Sequence, residues 1–127
     1  MSVNVLVVDD SGVMRSMVIR SLQMAGMDIG EVYQACNGQE GLDILKAEDV
    51  DIAFIDITMP VMDGMEMIEH IRRGGHKPDI PIVVISTEGS TERIDRIEDY
   101  GAKFIHKPFT PEKVRETLRG LEEVRHG

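Results

Sequence analysis

The chain has 127 residues, 42% of them hydrophobic, a size that suits one domain with an ordinary buried core. Only 4% are aromatic and there is no Trp, so that core is expected to be aliphatic, built from Val, Ile, Leu and the nine Met. The formal charge of −9, from 23 acidic against 14 basic residues, argues against a nucleic-acid binder, which needs clustered Lys and Arg, and otherwise favours solubility.

Val3 to Val8 is an apolar run rich in β-branched residues that stops at Asp9 and Asp10, as a strand buried on both faces of a parallel sheet would. A helical stripe follows, Met14, Met17, Val18, Leu22 and Ala25, with Ser11 as N-cap and Gly26 as stop. Glu31 to Cys36 is a more polar strand, expected at an edge. Cys36 has no second cysteine to pair with, which fits a reducing compartment, and reads as a small buried apolar residue. Asn37-Gly38 turns the chain into a short helix, Gln39 to Glu48, with Leu42 and Leu45 inward.

Asp51 to Ile57 is a third strand, apolar apart from Asp56, and Thr58 to Gly64 is a loop punctuated by Pro60 and Gly64. Met65, Ile68 and Ile71 mark a third helix ending at Gly74-Gly75. Pro81 to Ile85 is a fourth strand, followed by a polar loop, Ser86 to Ser90. Thr91 to Tyr100 is a helix with a thin stripe of Ile94 and Ile97. Phe104 to His106 is a brief fifth strand stopped by Lys107-Pro108, and Pro111, Val114, Leu118 and Leu121 mark a fifth helix. Met residues read as core filler, and His70, His76, His106 and His126, without metal-ligand spacing, as surface residues.

A strand-helix alternation repeated five times predicts a three-layer α/β fold, with a parallel sheet between helices. Residues 1–127 are expected to form a single domain. No apolar stretch approaches the roughly 18 residues of a membrane span. The residues from Met1 to Val5 carry no signal-peptide pattern, so a cytoplasmic location without membrane insertion is expected.

Four of the five strands deliver polar groups to one rim: Asp9 and Asp10, Asp56, Ser86 with Thr87, and Lys107. In open parallel sheets ligands bind at that carboxyl rim. Each group alone has an ordinary reading: a helix cap for Asp9 or Asp10, a loop carboxylate for Asp56, turn residues for Ser86 and Thr87, a solvated charge for Lys107. Their joint placement argues otherwise. Three carboxylates within about 5 Å repel by roughly 3 kcal/mol per pair at an effective dielectric near 20. Protonation or a hard cation would relieve this. Lys107 and the Ser86 hydroxyl favour the cation, since both can bind phosphate oxygens. Asp56, at the end of a central strand, is then the best placed nucleophile toward phosphorus.

The segments around Asp9-Asp10-Ser11, Phe54 to Gly64, Val84 to Ser86 and Gly101 to Phe109 together resemble the response-regulator receiver family, in its single-domain CheY-like form, over about residues 3–121. The resemblance implies a flavodoxin-like fold with strand order 2-1-3-4-5. It implies Asp56 as phosphoacceptor, and Mg2+ (or Mn2+) on Asp9, Asp10, Asp56 and the backbone carbonyl of Thr58. By the same likeness Ser86 and Lys107 engage the phosphoryl group, the Lys107–Pro108 bond is cis, and Ser86 and Phe104 form the switch. Family members often carry Tyr at the place of Phe104; Phe keeps the steric part of a switch but has no hydroxyl. Thr58 and Glu88 stand where side chains tune phosphate lifetime.

The implied partners are a histidine kinase or phosphotransfer domain and a downstream protein, such as a flagellar motor switch, met by the face of the fourth helix, fifth strand and fifth helix. A monomer that does not turn over substrates as an enzyme is expected. Three other readings fit the sequence less well. A magnesium-dependent aspartyl phosphatase or phosphotransferase would have spaced acidic residues on its first strand, and here they are adjacent. A flavin module would need a hydroxyl- and glycine-rich first loop, where Asp9-Asp10 is hostile to phosphate. A phosphorylation-independent adaptor has no need of the complete acidic set.

Overall fold

A computed structural model describes residues 2–75, 77–87 and 90–126, with side chains through residue 119. His76 and Glu88, and the side chains of Leu121 and His126, lie outside the described residues. The elements run β1 (Val3–Val8), α1 (Gly12–Met24), β2 (Ile29–Ala35), α2 (Gly38–Ala47), β3 (Ile52–Ile55), α3 (Gly64–Arg72), β4 (Ile82–Ser86), α4 (Thr91–Asp99), β5 (Lys103–His106) and α5 (Pro111–His126). The strands form one parallel sheet in the order β2-β1-β3-β4-β5, as expected.

The three central strands are apolar because both their faces are covered. Leu6, Val8, Ala53, Ile55, Ile82 and Val84 point to one side and pack with Leu45, Met65, Met67, Ile68, Ile71 and Ile97 from α2, α3 and α4. Their alternate neighbours Val5, Val7, Ile52, Phe54, Val83 and Ile85 point to the other side, against Val18, Leu22 and Val114 from α1 and α5. A period of two thus builds two aliphatic cores from one set of strands. Phe54 is the single aromatic among the fully buried side chains. No helix of the described residues is long and apolar enough to cross a membrane.

Several sequence expectations are corrected. Met17 is 51% exposed, because α1 turns Val18 and Leu22 inward and packs Ile19 at the flank of that core, joined there by Ala25 and Met27 from the segment after the helix. β2 begins two residues earlier than expected, since Val3 of β1 pairs with Ile29. Asn37 is not a free turn residue: its side chain caps α2 by accepting from the Glu40 amide at 2.9 Å. Cys36 is half-buried, not buried, and lies in a polar setting with Sγ 3.1 Å from Glu40 Oε2. That hydrogen bond, then burial, pushes its thiol pKa up. The thin stripe expected of α4 is present, with Ile97 buried and Ile94 half-buried.

Candidate functional site

The register fixes what meets at the carboxyl rim. Val8 is level with both Ala35 and Ile55, so Asp9 and Asp56 leave the sheet side by side as the next residues of β1 and β3. The Asp9 amide donates to Ala35 O at 3.1 Å and the Asp56 amide to Val8 O at 2.9 Å, which extends the ladder to the acidic residues themselves. Ser86 is level with His106, and the Lys107 amide donates to Ser86 O at 2.9 Å, bringing Lys107 to the same edge. The Lys107–Pro108 peptide is cis.

Asp9, Asp56 and Ser86 are the buried polar residues of the described chain, and Asp10 beside them is exposed. One carboxylate oxygen from each of Asp9, Asp10 and Asp56 lies within 4.8 Å of the others. Lys107 Nζ is 3.3 Å from Asp9 Oδ2 and 3.8 Å from Asp56 Oδ1. Asp9 Oδ1 accepts from the Ser11 amide, and Asp56 Oδ1 from the Ile57 amide, both at 2.9 Å. The Ser86 hydroxyl also hydrogen-bonds the Asp56 carboxylate. Burial pushes the Asp56 pKa up, against the Lys107 ammonium; Asp9 adds to the rise, and the bonds from Ser86 and Ile57 oppose it, leaving the group raised.

These groups fit a hard divalent cation. The donors are all carboxylate oxygens, and one ammonium faces three carboxylates, so a dication would balance the charge that remains. Buried carboxylates without enough counter-charge are costly, and the pushed-up Asp56 pKa is the mark of that cost.

The structure brings together Asp9, Asp10, Asp56, Ser86 and Lys107. Thr58 and Thr87 are exposed in the loops that follow Asp56 and Ser86. Phe104 is half-buried against the α2-α3-α4 core, its ring centroid 6.1 Å from that of His106 in an edge arrangement. Two residues near the site have structural parts that the sequence does not signal. Gly64 reads in sequence as punctuation, yet a Cβ there would overlap the carbonyl oxygen of Asp56. Arg15 stands outside every sequence motif, yet its Nη1 donates to Asp9 O at 2.6 Å.

Strand order and helix layering define a doubly wound, flavodoxin-like α/β protein. The family model "Response regulator receiver domain" matches residues 5–119, and the chain belongs to that family. It is 37% identical over 118 residues to a chemotaxis protein CheY homolog of Campylobacter jejuni, covering 91% of this chain and 89% of that protein. The structure of the chemotaxis response regulator CheY4 of Vibrio cholerae matches with TM-score 0.79 at 36% identity, over 94% of this chain and 98% of that one. A chain of the CheX–CheY–BeF3–Mg2+ complex from Borrelia burgdorferi matches with TM-score 0.83 at 29% identity, over 94% of this chain and 88% of that one. The protein is thus a CheY-like receiver domain, consistent with two-component signalling.

Proposed function

We propose that the protein is a response regulator whose receiver domain accepts a phosphoryl group on Asp56 and signals by protein contact. The observation that carries this reading is the Asp56 carboxylate, buried at the end of a central strand, raised in pKa, and flanked by Lys107 Nζ and the Ser86 hydroxyl. A carboxylate so placed, with a cation donor on one side and a hydroxyl on the other, can attack phosphorus while both partners receive the charge of the transferred oxygens.

Asp9, Asp10 and Asp56, with the backbone carbonyl of Thr58, would hold Mg2+, or Mn2+ in its place. The cation supplies charge neutralisation for the carboxylates and for the incoming phosphoryl oxygens. Lys107 is already drawn to Asp9 and Asp56, so it can pass from a carboxylate to a phosphoryl oxygen with little movement. Ser86 can turn its hydroxyl from the carboxylate to the same group, and Phe104 on the adjoining strand can fill the space behind it. Thr58 and Glu88 would set the access of hydrolytic water. The CheX–CheY complex with BeF3 and Mg2+ supports this reading by analogy, since that relative is described with both species.

In this proposal a histidine kinase or phosphotransfer domain supplies the phosphoryl group, and a downstream protein is met by the α4-β5-α5 face. A flagellar motor switch is one candidate, by likeness to the chemotaxis relatives. The domain is a cytoplasmic monomer in this reading, and its hydrolysis of its own acyl phosphate resets a signal rather than turning over a substrate. The test is intact mass after incubation with acetyl phosphate and Mg2+, beside Asp56→Asn. A labile gain of one phosphoryl group, absent in the variant, supports the reading. No adduct, together with no binding of beryllofluoride, sinks it.

A further inference from the structure

The turn from β1 to α1 carries two of the three clustered carboxylates, so whatever holds this turn sets the shape of the cluster. Arg15, one turn into α1, folds back over it. Its Nη1 donates to the Asp9 carbonyl at 2.6 Å and its Nε to Gln34 Oε1, on β2, at 2.9 Å. An outer nitrogen of the same guanidinium lies over Gly12, where an added Cβ would meet it in ordinary contact at 3.4 Å. The Asp9 amide meanwhile donates to Ala35 O of β2. Asp9 is therefore gripped at both ends of its backbone, by the β2 ladder at N–H and by Arg15 at C=O.

We infer that Arg15 is a positioning residue for the cation, a two-pronged clamp that ties the Asp9-Asp10 turn to β2 and keeps its carboxylates converging on Asp56. This rests on reading the acidic cluster as a Mg2+ site. The planar guanidinium suits the task because its donors leave in fixed directions toward two acceptors. A lysine carries the same charge as one mobile point and cannot hold both at once. The charge of Arg15 taken alone acts the other way, since a positive group near a cation site repels the cation. Clamp and charge therefore give effects of opposite sign.

The experiment is Mg2+ titration by calorimetry of the wild type, Arg15→Lys, Arg15→Met and Gln34→Ala, each checked for folding by its metal-free melting curve. Loss of a group that orients a metal ligand typically weakens affinity about tenfold or more. Arg15→Lys, which keeps the charge and loses the clamp, is expected to raise the Mg2+ Kd by about tenfold, and Arg15→Met, which also loses the repelling charge, by a smaller factor that still exceeds the wild-type value. Gln34→Ala, with no change of charge, is expected to raise it by a smaller factor, and the amide resonances of Asp10, Ser11 and Gly12 should shift in all three metal-free proteins. Wild-type affinity in Arg15→Lys, or tighter binding in Arg15→Met, overturns the clamp. A wild type that takes up phosphoryl groups and Mg2+ while the variants bind equally well overturns the clamp alone; a wild type that binds no Mg2+ and takes no phosphoryl group overturns the reading of the cluster with it.

Discussion

At the scale of single residues, the burial of Asp56 has a thermodynamic signature. Its pKa in the fold is raised, chiefly by burial, so the folded protein prefers the protonated carboxyl more than the unfolded chain does. Stability from this group is then fully present below the ordinary aspartate pKa and is lost as pH rises through the raised value. At neutral pH, without metal, Asp56→Asn should accordingly stabilise the protein, and the gain should vanish in the acid range. Urea denaturation in EDTA at pH 7 and near the acid limit checks both arms. Val61 is a second site of local cost. It is a β-branched residue at φ 67°, 81% exposed, in the loop after Asp56. Asn tolerates that conformation and little packing is lost, so Val61→Asn should raise stability by about 1 kcal/mol. Gly64 is the opposite case: Gly64→Ala forces a methyl against the Asp56 carbonyl and should cost about 1–3 kcal/mol, with weaker phosphorylation because Asp56 itself must shift.

At the scale of elements, each helix begins on a capping side chain set by the local sequence, Ser11 for α1 and Thr110 for α5, which accept from the Met14 and Lys113 amides. Asn37, Asp63 and Ser90 accept from Glu40, Glu66 and Arg93 amides respectively. Removing the first of these acceptors, by Asn37→Ala, should cost about 1 kcal/mol, read as a shift in the urea midpoint. Helix α4 is the weakest link by packing. It buries Ile97 fully, whereas α3 buries Met65, Met67, Ile68 and Ile71. Toward its C-terminal end Arg96 pairs with Glu69 at 2.7 Å, and Arg72 Nε donates to Tyr100 O at 2.6 Å, beside the one fully buried residue, Ile97. Hydrogen exchange should therefore be fastest in the first turn of α4 and slower towards Tyr100, with α3 better protected throughout. Uniform protection across both helices would contradict this account.

At the scale of the whole molecule, the acidic rim and the α4-β5-α5 face are joined through β4 and β5, where Ser86 pairs with His106 and Val84 with Phe104. A group that pulls Ser86 toward Asp56 can be felt at Phe104 two residues away along the neighbouring strand. Phe104→Ala should leave beryllofluoride and Mg2+ binding within about twofold, while the amide shifts that this binding induces in α4 and α5 shrink. Equal loss of binding and of the induced shifts would mean that Phe104 supports the site itself and is no part of a switch.

The alternation of strands and helices, the burial of the central strands and the convergence of Asp9, Asp10, Asp56, Ser86 and Lys107 were legible in the sequence, because hydrophobic period and strand ends are local properties that the chain carries in order. Edge and helix-flank details were less so. Met17 and Cys36 look apolar in the sequence, but their exposure depends on which side of α1 meets the sheet and on where Glu40 stands after the turn. The Arg15 grip on Asp9 O and Gln34, and the space that Gly64 leaves for the Asp56 carbonyl, have no sequence signal at all. The sequence by itself thus determined the fold class and which residues reach the rim. Tertiary structure alone decided the distances among the carboxylates, the raised pKa of Asp56 and the clamp on the Asp9 turn, because these arise from segments far apart in the chain that only the folded register brings into contact.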